Sequence, residues 1–301
     1  MPFRIRSLLV ATDLSPSATH VLRSASALAE LAEAELHVVH AVEPSDTAGG
    51  KDAQGRSQGR LLHEQLRAAL PPSAFVTSAQ VAHGRADQVI LKHAEHLEPD
   101  LIVIGPHRER SEERGPLGTT ADLLVRTSDV PCLIVHRPVT LPLRHVLVPC
   151  DLSDAAQGAL DVGLTWGAAL RLPAGSVGRT RVDVLLVMPP DDATAPQDPA
   201  NAGVDLHAQV AAACRRTECD TVLTIGEEVA RGDAVETILR RVAQSDVDLL
   251  VLGTHGQNAG TRDPIGGVAS AVARQADCPV LLVPPGSWQE RREREAILRP
   301  R

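Results

Sequence analysis

Aromatic side chains are almost missing from this chain of 301 residues: Phe3, Phe75, Trp166 and Trp288 are the full set, and there is no tyrosine. Platforms that stack single-stranded nucleic acid need aromatic faces, so that class is disfavoured. Lysine is as scarce, with Lys51 and Lys92 alone. Neither lies in a G-x4-G-K-[S/T] frame, which excludes a Walker-type phosphate lysine. The basic excess usual in binders of nucleic-acid backbones is lacking too: 30 Lys and Arg face 38 Asp and Glu, for a net charge of −8. No CxxC occurs among Cys132, Cys150, Cys214, Cys219 and Cys278. An odd count without that spacing suits a reduced cytoplasmic chain better than a disulfide framework. Cys214 and Cys219 have no His or Cys neighbour at zinc spacing. No apolar run approaches the roughly 18 residues of a membrane span. The run Leu8–Ala11 is too short for the apolar part of a signal peptide. The expectation is a cytoplasmic protein with no membrane, nucleic-acid or metal partner.

What is present is repetition. The stretch 81–105 returns as 229–253 and 129–138 returns as 277–286, both at an offset of 148. "SLLVATDLS" at 7–15 returns as "HVLVPCDLS" at 145–153, at an offset of 138. The second half therefore carries an insertion after its first strand, around 172–180. The period has the size of a whole domain, at about 100–200 residues, so the chain reads as a tandem duplication. We assign residues 1–138 to a first domain, 139–142 to a linker, 143–285 to a second domain and 286–301 to a charged tail.

Within each half, short runs of Val, Leu and Ile alternate with helical stretches. The runs read as buried strands at Leu8–Thr12, Leu36–Val42, Phe75–Val81, Leu101–Gly105 and Leu133–His136. Their counterparts are Val146–Cys150, Val182–Met188, Thr221–Val229, Leu249–Gly253 and Val280–Val283. Ala18–Ala34 suits a helix, capped by Ser15 or Ser17. Such alternation predicts an α/β fold: two doubly wound domains, each a five-stranded parallel sheet with helices on both faces. The segments 43–60 and 189–203, rich in Gly, Pro, Asp and Gln, read as mobile loops or lids.

Ligands of open parallel sheets bind beyond the carboxyl ends of the strands, where strand order reverses. Three segments per half qualify. Asp13 and Asp151 end the first strands; a carboxylate there serves an adenine amino group or ribose hydroxyl, or a plain turn. Ala41 and Met188 end the second strands, where backbone groups could meet a base edge. After the fourth strand comes Gly253-Thr254-His255-Gly256, nine residues, then Gly266, Gly267 and Val268 at a helix start. Glycines bring main-chain amides close to a phosphate, and a helix N-terminus favours an anion. In the first half the same frame reads Gly105-Pro106-His107-Arg108, then Gly118 and Thr119.

The pattern "VLVPCDLS … GTHG-x9-GG … DCPVLLV" resembles the universal stress protein family in its tandem form. The resemblance covers roughly 3–138 and 143–285. It implies pockets for ATP or another adenine nucleotide, with or without Mg2+. The aspartate after strand one and the residue ending strand two would flank the adenosine, and the glycine frame would hold ribose and phosphates. Nucleotide-binding members carry G-x2-G-x9-G-[S/T]. Here Gly267 stands in place of the hydroxyl residue, Arg108 replaces the second glycine of the first frame, and Pro106 lacks an amide donor. The second half is the favoured site. The expected function is a stress-response sensor or regulator, with an internal pseudo-dimer of the two domains or a homodimer. The alternatives are a nucleotide-free interaction module and a weak ATP hydrolase. No nucleophile–base motif accompanies the frames, so no catalytic residue is assigned.

Overall fold

The computed structural model describes residues 5–43, 51–106, 119–171, 178–190, 199–219, 221–254 and 266–286. The chain divides into two compact units, Arg4–Pro138 and the stretch from Val139 onward.

The first unit contains β1 (Ser7–Thr12), α1 (Ala18–Ala32), β2 (Glu35–Val42), α2 (Lys51–Ala69), β3 (Ser78–His83), α3 (Ala86–Leu97), β4 (Leu101–Ile104), α4 (Thr119–Thr127) and β5 (Cys132–Ile134). Its strands run in the order β3-β2-β1-β4-β5, and every pairing is parallel. The second unit contains β6 (His145–Cys150), α5 (Asp154–Ala169), β7 (Arg181–Met188), α6 (Pro199–Thr217), β8 (Thr224–Arg231), α7 (Ala234–Gln244), β9 (Leu249–Gly253), α8 (Gly267–Gln275) and β10 (Val280–Val283). Its order, β8-β7-β6-β9-β10, repeats the first, again all parallel. In both units strand order reverses beside the first strand, between β1 and β4 and between β6 and β9.

The cores follow from the apolar runs. Leu8, Leu9 and Val10 of β1 and Leu101, Ile102 and Val103 of β4 are fully buried. Val146, Leu147 and Val148 of β6 and Leu250 and Val251 of β9 are buried likewise. Central parallel strands are covered on both faces, which is why they show continuous apolar runs instead of alternation. A carboxylate fixes the start of each central strand: Asp100 Oδ2 accepts from the amides of Arg6 and Ser7 at 2.7 and 3.1 Å. Asp248 Oδ2 does the same for Arg144 and His145 at 2.8 and 3.0 Å.

The structure departs from the sequence reading in two places. Residues 51–60 and 199–203, expected in loops, belong to α2 and α6. Their glycines (Gly55, Gly59, Gly203) disfavour helix locally, but buried residues at helical spacing decide the matter. Leu62, Leu66 and Ala69 bury one face of α2; Ala202, Leu206, Val210 and Ala213 bury one face of α6. Once such a helix is nucleated, extension costs little. The remainder of those two segments, 44–50 and 191–198, lies outside the described residues. The edge strands start late: β3 begins at Ser78, not Phe75, and β8 at Thr224, not Thr221. An edge strand has a neighbour on one side only, and its pairing begins at His37–Ser78 in the first unit and at Arg181–Thr224 in the second, leaving Phe75 outside the ladder and 75% exposed.

Candidate functional site

The turn after each central strand is built twice on the same plan. Asp13 Oδ1 accepts from the Ser15 amide at 3.0 Å and its hydroxyl at 2.6 Å. Asp151 Oδ1 accepts from the Ser153 amide at 3.0 Å and its hydroxyl at 2.5 Å. The intervening leucines are left-handed, with φ of 62° at Leu14 and 64° at Leu152. A non-glycine residue held there costs about 1–2 kcal/mol, so the surrounding hydrogen bonds must impose it. Ser15 Oγ and Ser153 Oγ then accept from the amides of Ala18 and Ala156, starting α1 and α5. Of the two caps expected for α1, Ser15 makes the bond to the helix, while the Ser17 hydroxyl pairs with Ser15 Oγ at 2.8 Å and makes no cap bond among the described residues. Each aspartate is thus both a turn residue and a carboxylate presented at the sheet's carboxyl edge.

The second frame closes on itself. The Gly266 amide donates to the Thr254 carbonyl at 2.7 Å, and the Thr254 amide donates to Val283 O at 3.0 Å. These two bonds bring the end of β9, the start of α8 and the end of β10 together. Since β9 neighbours β6, Asp151, Gly253, Thr254, Gly266, Gly267 and Val268 gather around one reversal crevice. The amides of Gly267 and Val268 open α8 and find no acceptor among the described residues. An added Cβ at Gly267 would meet nothing within 4 Å. This is an environment a phosphate fits: orphan amides, a helix N-terminus and free space. Thr254 itself is 1% exposed, so its contribution is to packing and main-chain closure.

In the first unit Asp13 and Gly105 flank the β1–β4 reversal in the same manner. Thr119 is the first residue of α4. His255, Gly256, Arg108 and Gly118 lie outside the described residues. Met188 ends β7 as expected, but β2 runs one residue past Ala41 to Val42, and the register makes Val42 the counterpart of Met188. Val42 O accepts from Gly84 N, and Met188 O accepts from Gly232 N, each at 3.0 Å.

Three contributors escaped the sequence reading. Thr12 Oγ1 donates to Gln65 Oε1 of α2 at 2.7 Å and accepts from Leu14 N at 3.1 Å. Gln65 Nε2 donates to Ser15 O at 2.8 Å. His40, buried on β2, donates from Nδ1 to Thr12 O at 2.8 Å. In the second unit Cys150 replaces Thr12: its Sγ donates to Gln209 Oε1 at 3.0 Å and accepts from Leu152 N at 3.4 Å. Burial pushes this thiol up to about 11, the Asp151 charge adding to the effect against the Leu152 amide, so it stays protonated and unreactive. Gln65 and Gln209 are 144 residues apart, which matches neither repeat offset, so alignment of the halves could not pair them.

The other polar cluster lies at the opposite, amino-terminal edge of the second unit. His145 Nδ1 donates to Ser245 O at 2.7 Å, and its Nε2 lies 2.9 Å from Asp183 Oδ2. Arg181 Nε donates to Asp183 Oδ1 at 2.7 Å. Burial lowers the His145 pKa, but its bonds to Asp183 and Ser245 outweigh that and raise it overall. Burial works against the Asp183 charge, yet the His145 and Arg181 bonds bring its pKa below the usual value. This cluster is far along the strands from the glycine frame. Among the described residues no three His, Cys, Asp or Glu could together hold a metal, and no helix is long and apolar enough to cross a membrane.

Comparison with known proteins agrees with this architecture. The model of the universal stress protein family matches residues 4–136 and again 142–284. A universal stress protein of Synechocystis sp. is 26% identical over 236 residues, covering 75% of this chain and 74% of that one. Among solved structures, a universal stress protein from Archaeoglobus fulgidus DSM 4304 superposes with a TM-score of 0.65 at 17% identity, over 93% of this chain and 97% of that chain. One from Pseudomonas aeruginosa UCBPP-PA14, described as a putative universal stress protein, gives 0.59 at 18% identity, over 97% and 98%. At these identities the structural likeness speaks for the fold, while the family match spans both halves: the chain belongs to the universal stress protein family, as two tandem copies of its α/β domain.

Proposed function

We propose that the reversal crevices take an adenine nucleotide of the ATP type, the second unit being the better site, and that the protein acts as a nucleotide-responsive stress sensor or regulator. The observation that supports this reading is the Gly266–Thr254 bond, which ties the start of α8 to the end of β9, the neighbour of the strand that leads to Asp151. In this reading Gly267 and Val268 N–H groups receive phosphate oxygens, Asp151 faces the adenosine, and Met188 borders the base. His255 and Gly256 would complete the frame there. Asp13, Ala41, Gly105, Arg108, Gly118 and Thr119 play these parts in the first unit. Mg2+ would travel with the triphosphate as its counter-ion.

Titration calorimetry with ATP tests the proposal. Binding that falls by about tenfold or more in Asp151→Ala is expected, since a bond to a charged group is worth about 1.5–3 kcal/mol. Absence of heat and of co-purifying nucleotide by mass spectrometry would overturn it. One feature favours a second reading, a nucleotide-free interaction module. Gly267 offers no hydroxyl where the nucleotide-binding frame carries Ser or Thr. A bulky replacement of Gly253 separates the two, because the module would keep its function if still folded.

A further inference from the structure

We infer that Gln65 is the positioning residue of the first pocket: from α2 it clamps the turn that presents Asp13. This rests on the nucleotide reading, to which it adds a residue outside the glycine frame. The turn Thr12–Ser15 contains a leucine in a backbone region that leucine rarely adopts. Gln65 grips both ends of that turn, as acceptor from the Thr12 hydroxyl and as donor to the Ser15 carbonyl. The same hydroxyl receives the Leu14 amide, so one glutamine, one threonine and the strained residue form a closed circuit. His40 holds the Thr12 carbonyl from β2. Asp13 Oδ1 is committed to Ser15, so the direction of its carboxylate is set by wherever Ser15 is held.

The second unit supplies an internal control. There Gln209 reaches only the thiol of Cys150, a weak donor, and Leu186 replaces His40 at the equivalent register position. No bond from Gln209 to the Ser153 carbonyl occurs among the described residues. The turn of the first unit therefore carries more side-chain bonds from its neighbouring helix and strand, while the frame of the second offers the amides of Gly267 and Val268.

The test uses the full chain with site-resolved amide NMR. Gln65→Leu removes both bonds. Gln65→Glu keeps an acceptor for Thr12 and loses the donor to Ser15. Glu64→Gln, on the exposed face of α2, is the control. In Gln65→Leu the exchange rates of the Leu14 and Ser15 amides should rise about tenfold, with those of Val38 and Val39 in β2 unchanged. ATP affinity read from the Ser15 amide should weaken about fivefold to tenfold, and that read from Ser153 should not change. Gln65→Glu should fall between. Thr12→Val should reproduce the effect and Thr12→Ser should not. Unchanged exchange at Leu14 and Ser15 would sink the clamp whatever ATP does, as would equal weakening of both pockets. Wild-type amides silent to ATP, with the exchange effect intact, would instead sink the nucleotide reading of this unit.

Discussion

The two units share their topology and turn plan, yet they approach their first helix differently. In α5, Gly163 and Gly167 face the sheet. A Cβ at Gly163 would lie 2.5 Å from Val148 Cγ2, and one at Gly167 would lie 2.8 Å from Val182 Cγ2. The equivalent residues of α1 are Ala25 and Ala29, buried with their methyl groups accommodated. So α5 sits closer to its sheet than a side chain allows. One fold is thus packed to two tolerances: the first unit adds the Gln65 and His40 bonds to its turn, and the second brings its first helix closer to its sheet.

The sharpest way to break this comparison is Gly163→Val. Overpacking against Val148 should destabilise the second unit by about 1–3 kcal/mol, a few tenths of which the better helix propensity of valine over glycine offsets. Urea denaturation followed at second-unit amides would show it, with first-unit amides unmoved; equal loss in both units would contradict the local account. Next in size is Gly267→Ser. With open space at that position, a hydroxyl should add a bond to phosphate and tighten ATP at the second pocket about tenfold. Calorimetry giving no gain would show that the hydroxyl is irrelevant here.

The pH dependence is smaller and confined to one unit. His145 has a raised pKa, so its contribution is full below its ordinary value of 6.5 and fades as pH rises through the raised one. Asp183 has a lowered pKa, so its contribution is present above 3.8 and fades as pH falls through the lowered one. The pair therefore contributes most between those limits. Asp183→Asn should flatten the pH profile of second-unit unfolding around neutrality, with the first-unit profile unchanged. The smallest effect is expected from Cys150→Thr. A hydroxyl in place of the thiol should slow exchange at the Leu152 amide a few-fold, bringing the second turn towards the first.

The parts of this molecule legible in sequence were those with a local signature. Buried strands announce themselves as apolar runs, and eight of the ten described strands lie where such runs occur, the half-exposed edge strands β3 and β8 being displaced from theirs. The aspartate turns and the glycine frame were legible because duplication printed them twice. What was not legible depended on partners distant in the chain. The first ten residues of α2 belong to a segment whose composition suggests loop, and they are helical because Leu62 and Leu66 dock further on. Gln65 and His40 have no motif; their roles exist only once α2 and β2 bring them to Thr12. The true counterpart of Met188 emerged from strand register, which a repeat offset does not give.

The recess at Gly163 and Gly167 also bears on how such a chain sorts itself out while folding. Two sheets of the same topology emerge from one polypeptide, and either first helix could be offered to either sheet. Ala25 and Ala29 carry methyl groups that the shallow clearance above Val148 and Val182 has no room for. A mismatched docking of α1 there would be held off by about an ångström, enough to loosen close packing, so two absent methyl groups help decide which helix each sheet accepts.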